Sequence, residues 1–231
     1  MNFFRKKIIV NYHDSILEKE DIEQCFNKIP KNLPKYFSSI PKNMFSLKSK
    51  KFIPYLRTIK TCPGFINLYK RSLLVTSPFD IYVGLEGTKI IDMKAGRTNF
   101  EIAEEHPGDQ FLNYTPNKVY KCILKISLPF EFDSNVSLFM SETFYHFNDF
   151  NVLPGILPSS YNSGINFFIP VKKNQNDLYI KKGDPLFLLT PLCETEVKLK
   201  FKKINKNLSP SSIKDNLTFS SLKKYILKNV F

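Results

Sequence analysis

Tryptophan is absent from the 231 residues, histidine occurs three times, cysteine four times, and arginine only four times among 34 basic residues. Each scarcity removes a class of function. Cys25, Cys62, Cys122 and Cys193 are widely separated, with no CxxC pair and no Cys/His cluster. A structural zinc site takes its ligands in close pairs on a turn, so none is expected. The thiols are expected to be free, as in a reducing compartment. The histidines are His13, His106 and His146. Cupin-type and facial-triad metal centres need two histidines and a carboxylate, opening as His-x-His or His-x-Asp/Glu. His106 is followed by Pro107, Gly108 and Asp109, which is the wrong spacing. No metal and no cofactor are expected.

Nucleophilic catalysis lacks its parts as well. Cys62 beside Pro63-Gly64 approaches a helix N-terminus, where a thiol pKa falls, but no histidine stands at a recognisable spacing. Glu104-Glu105 and Glu194/Glu196 read as surface carboxylates, and no catalytic residue is assigned. No GxGxxG or P-loop occurs, and no strand–helix alternation points to a parallel α/β nucleotide-binding fold. No apolar run approaches the roughly 20 residues that span a bilayer. The apolar stretch after Lys6-Lys7 is too short for a signal-peptide core. The expectation is an intracellular protein without a membrane span.

What is present is a folded, basic chain. Hydrophobic residues make up 42% and phenylalanine alone numbers 22, so a core can be buried without staples. The net charge is +13 and unevenly placed. Residues 1–75 carry 15 basic against 5 acidic residues, residues 198–231 carry 9 against 1, and the middle is mildly acidic. The excess is almost all lysine, a point charge without the bidentate fork that favours specific base and phosphate contacts. Two readings stay open, a solvated lysine surface and a polyanion-binding one that would engage nucleic acid through the lysine-rich ends.

The pattern along the chain predicts an opening strand over 3–10, then a helix from an Asp14 cap to about Ile29, stopped by Pro30. Residues 30–42 are punctuated by prolines and read as an extended arm, with one helical turn around Tyr36 and Phe37. Pro63 starts a short helix through Arg71. From Leu73 onward short apolar runs separated by Gly, Pro, Asn and Asp predict strands at 73–77, 80–86, 88–93, 98–103, 119–131, 135–140, 165–171, 177–181, 185–191 and 195–204. After Lys206, Leu222, Tyr225, Ile226 and Val230 share one face of a basic amphipathic helix. Three regions follow: 1–57, N-terminal helix and arm; 58–205, β domain; 206–231, C-terminal helix.

The most informative stretch is 126–192. Leu128-Pro129, then Gly155-Ile156-Leu157 with Tyr161, then Ile180-Lys-Lys-Gly183-Asp184-Pro-Leu186 with Leu189 occur in that order. This series resembles the core of the dUTPase and dCTP-deaminase superfamily, the β-clip fold. Gly183-Asp184 suits a tight reversal between two strands. The departures fall on the enzymes' functional positions. Pro158 and Ser160 stand where the superfamily has aspartates, and Met140-Ser141-Glu142 stands where it has a phosphate-binding Arg-Ser-Gly. The resemblance therefore implies the fold without the hydrolysis, and by analogy a trimer.

A second resemblance covers the chain from about residue 30. The proline-punctuated arm, the run Thr58–Phe65, Ser77-Pro78-Phe79-Asp80-Ile81, the His106/Gln110 spacing and the Gly183-Asp184-Pro185-Leu186 turn are similar to an uncharacterised β-protein family of phages and viruses. Together these imply a mainly β protein, a β-clip or jelly-roll-like sandwich or barrel with an N-terminal helical extension and a C-terminal helix. They imply a non-enzymatic accessory or structural binding protein, located in the virion or host cytoplasm, with a protein partner there. The rivals are a degenerate nucleotide hydrolase or metal-dependent oxygenase, and a basic nucleic-acid binder. Tyr161, His106, Gln110 and Met140 are the residues expected to line a binding pocket.

Overall fold

A computed structural model describes residues 6–12, 17–27, 33, 37, 39–40, 43–45, 52–96, 101–106, 119–144, 146, 148–159, 162–193 and 197–204. In chain order the strands and helices are β1 (Lys7–Tyr12), α1 (Lys19–Cys25), β2 (Phe26–Asn27), β3 (Asn43–Phe45), β4 (Phe52–Arg57), α2 (Pro63–Arg71), β5 (Leu73–Thr76), β6 (Ile81–Glu86) and β7 (Lys89–Ala95). They continue with β8 (Ala103–His106), β9 (Tyr120–Ser134), β10 (Leu138–Ser141), β11 (Gly155–Leu157), β12 (Asn162–Lys172), β13 (Asp177–Ile180), β14 (Pro185–Pro191) and β15 (Lys198–Lys203). The protein is mainly β, as its alternating runs require.

Two five-stranded sheets carry the architecture. In the first, β12, β9, β1 and β15 lie side by side, and β8 pairs with the front half of β9. The second runs β11-β10-β14-β5-β2. A three-stranded sheet β13-β6-β7 and the pair β3–β4 complete the set. The large sheets face each other across one core, where Phe167 of β12 meets Phe187 of β14 at 5.3 Å between ring centroids. This is a sandwich, and its sheets do not close into a barrel.

β9 organises the first sheet, and its alternation shows how. Cys122, Leu124, Ile126, Leu128, Phe130 and Phe132 face the core, while Lys125, Ser127, Glu131 and Asp133 lie on the other face. A proline inside so long a strand needs an explanation. Pro129 falls where the β12 register jumps, between the Ser127–Asn166 and Glu131–Gly164 partners. On the other flank the neighbour changes there too, from β8, paired up to Ile126, to β1, paired from Phe130. A residue without an N–H loses no ladder bond at such a break.

The first helix is shorter than its pattern predicts. It ends at Cys25, and Phe26-Asn27 turn extended to pair with Val75 and Leu74 of β5. The reason is tertiary. The Phe26 ring sits edge-on to Phe130 and Phe132, at 5.3 and 5.6 Å, which an extended backbone allows. β1, which the sequence groups with an N-terminal extension, is an interior strand between β9 and β15.

In the arm, one turn closes from the Ile40 N–H to the Phe37 carbonyl, and the Phe37 ring stacks on Phe65 of α2. The region beyond it holds β3 and β4, which proline counting concealed. α2 begins with Pro63 as predicted and covers the second sheet, its Tyr69 packing with Leu74 and Leu188. Of the strand expected over 98–103, residues 98–100 lie outside the described residues, and pairing is seen from Ala103 to His106; β10 begins only at Leu138. The predicted C-terminal helix lies outside the described residues.

Candidate functional site

The outer face of the first sheet, away from the core, holds its polar groups in rows set by register. Glu104, Lys125 and Phe168 are neighbours across β8, β9 and β12, with His106, Ile123 and Pro170 in the next row and Ser127 beside Asn166. The Lys125 ammonium bonds a Glu104 carboxylate oxygen at 3.0 Å, its side chain only 10% exposed against 47% for Glu104. A lysine drawn that far from water needs a carboxylate partner. Ser127 Oγ donates to Asn166 Oδ1 at 2.7 Å, and the His106 ring meets Phe168 edge-on at 5.8 Å.

Met140 is elsewhere. It is 4% exposed, lies in the core between the sheets, and fills the space in front of Gly155, where an added Cβ would come 3.7 Å from its Cε. His106 and Met140 therefore stand on opposite sides of the first sheet. Tyr161 and Gln110 lie outside the described residues. Next to Met140, Ser141 is buried and its hydroxyl donates to the Glu142 carbonyl at 3.3 Å. The following loop is tied down by Asn148, whose amide donates to Thr143 Oγ1 and to the Pro185 carbonyl, and by the Tyr69 hydroxyl, which donates to the Phe144 carbonyl.

The Gly183-Asp184 turn makes the reversal its residues suggest, with Gly183 at φ +87°. It does not join hairpin partners. β13 pairs with β6 and β14 pairs with β10 and β5, so the turn carries the chain from one sheet to another. Asp184 accepts the Lys181 N–H, Asp80 accepts the Lys182 N–H, both at 2.8 Å, and the Lys182 ammonium bonds Asp21 of α1 at 2.7 Å. That hydrogen bond raises the Lys182 pKa. The function here is anchorage of three segments.

All four cysteines are free thiols. Burial pushes the Cys25 thiol up to about 12, with Asp21 adding to the effect, and burial raises Cys122 too. Cys62 is exposed at the cap of α2. Among the described residues no three His, Cys, Asp or Glu side chains are grouped to hold a metal ion, and no helix is long and apolar enough to cross a membrane.

The surface that sequence reasoning missed is made by the two basic ends of the chain meeting. β1 and β15 are parallel neighbours, with Lys7 opposite Lys198, Ile9 opposite Lys200 and Asn11 opposite Lys202. The intervening residues Leu199 and Phe201 turn inward against the core, so Lys198, Lys200 and Lys202 form an exposed row on one face. The signal was available as the Lys-x-Lys-x-Lys alternation of 198–202, but the partner strand was not.

These features define a mainly β sandwich with a half-buried ion pair on one sheet face and a lysine row at that sheet's edge. Compared with protein-family models, with curated proteins and with solved structures, the chain matches none.

Proposed function

We propose that this chain is a non-enzymatic binding protein, an accessory or structural component of a phage or virus, working in the virion or host cytoplasm. The observation that carries the reading is the fate of residues 140–142. Where the resemblance to the dUTPase superfamily implies a phosphate-binding Arg-Ser-Gly, Met140 is a core side chain and the Ser141 hydroxyl is turned onto the neighbouring carbonyl. Both side chains are buried, and a methionine cannot stabilise developing negative charge. The viral setting rests on the second resemblance, and a trimeric state on analogy with β-clip proteins.

The test is an assay of the purified chain with dUTP and the four standard deoxynucleoside triphosphates, dCTP among them as the deaminase substrate, with magnesium or manganese. No turnover above a blank is expected. Release of pyrophosphate or ammonia, lost on unfolding the protein, sinks the reading. Light scattering of the eluting protein reads the oligomeric state.

A further inference from the structure

We infer that the β1–β15 edge is a docking surface for the phosphodiester backbone of duplex nucleic acid, an inference that rests on the binding reading above and names the partner. Lys198, Lys200 and Lys202 project from one face of the edge strand at intervals of about 6.7 Å, twice the rise of a strand. That interval is comparable with the distance between successive phosphates along a nucleic-acid strand. Lys7 adds a fourth ammonium from the adjacent strand, as the register partner of Lys198 across strand backbones about 4.8 Å apart. None of the four is in an ion pair among the described residues.

Like charges placed opposite each other across neighbouring strands destabilise a sheet. An anion lying along the row relieves that repulsion, so charge complementarity selects a polyanion. The chain leaves β15 into residues 205–231, which carry five more lysines against one aspartate. On the inner side the row is bounded by carboxylates. Asp133 and Glu131 of β9 share its face, opposite Ile9 and Asn11, and they hold a phosphate track to the edge.

Two features favour a duplex over an unpaired strand. The aromatic rings of this strand pair among the described residues, Tyr12 and Phe201, face the core, so beside the lysine row the two strands turn no ring outward on which unpaired bases can stack. Contact is then with the backbone alone, and a duplex presents the higher charge density. Lysine without arginine suits such sequence-independent contact. The rival explanation is that these lysines only blunt an open sheet edge against association.

The full chain is titrated into a labelled mixed-sequence DNA duplex between roughly 50 and 200 mM NaCl. The expected result is a linear fall of log affinity with log salt. In the triple variant Lys198→Gln, Lys200→Gln, Lys202→Gln that slope becomes shallower by roughly 2–3. A charge-matched control, Lys70→Gln, Lys89→Gln, Lys94→Gln, keeps the parental slope, and cooperative melting of both variants at no lower a temperature than the parent certifies that both fold. Equal losses in the two triples overturn the inference. So do tighter binding to the single strand or to phosphatidylserine vesicles than to the duplex, or a Lys198/Lys200/Lys202 triple variant that binds like the parent and oligomerises. Nucleotide turnover would sink the non-enzymatic reading and leave this measurement standing, whereas an unchanged slope in the Lys198/Lys200/Lys202 triple variant leaves that reading intact.

Discussion

Lys7 and Lys198, drawn from the two basic ends of the chain, are register partners on adjacent parallel strands and face the same side of the sheet. The charge asymmetry of the sequence is thereby converted into one surface. The same pairing places two ammonium groups opposite each other in the free protein.

That juxtaposition yields the first prediction. Lys198→Glu turns a repulsive cross-strand pair into an attractive one and is expected to stabilise the free protein by about 0.2–1 kcal/mol, measured by urea unfolding at low salt. The same variant is expected to weaken duplex binding. A destabilised variant would show that the two lysines are not repelling each other.

The ion pair on the outer face of the first sheet behaves asymmetrically. Glu104→Ala leaves the Lys125 ammonium largely buried without its carboxylate and is expected to cost about 1–3 kcal/mol. The double variant Lys125→Met, Glu104→Gln removes the buried charge altogether and is expected to stay within about 1 kcal/mol of the parent. Chemical denaturation of the parent and both variants measures each value. A double variant as unstable as Glu104→Ala would assign the effect to lost packing.

The cysteines separate by environment. Cys62 is expected to react with a thiol reagent in the native protein, and Cys25 and Cys122 only on unfolding, since both are buried. Counting fast and slow thiols with peptide mapping checks this. For Cys25 the sign of the pH dependence follows from its pKa, pushed up by burial from an ordinary 9.0 to about 12. The folded state favours the neutral thiol. Its contribution is complete below about pH 9 and is lost as pH rises toward 12. Cys25→Ala is expected to flatten the alkaline fall in stability across that window.

Two glycines with positive φ should differ when substituted. Gly183, at φ +87°, has nothing within 4 Å of an added Cβ, so Gly183→Ala carries backbone strain alone, about 1–2 kcal/mol. Gly96, at φ +58°, would set its Cβ 3.0 Å from Cβ of Phe79. Gly96→Ala must strain the backbone and displace that neighbour, and is expected to be the less stable of the two by thermal unfolding. Equal melting temperatures would contradict the close approach.

Legibility tracked how local each feature is. β5, β6, β13 and β14 lie within a residue or so of their apolar runs, because alternation and turn residues are written into the strand itself. α2 was legible through Pro63. The end of α1 was not, because Phe26 leaves the helix for rings on β9, far along the chain. Among the candidate pocket residues, His106 and Met140 were placed by register on different faces, a distinction no spacing encodes.

By itself the sequence determined the class of the protein, a mainly β chain with a lysine excess at both ends and four scattered cysteines. The tertiary structure decided which strands are neighbours, and so which charges share a face. Strand pairing is a contact between distant segments whose register is chosen by the core they bury together. Ile8, Val10 and Tyr12 turn inward with Leu199 and Phe201, and the lysines between them are carried outward into one row.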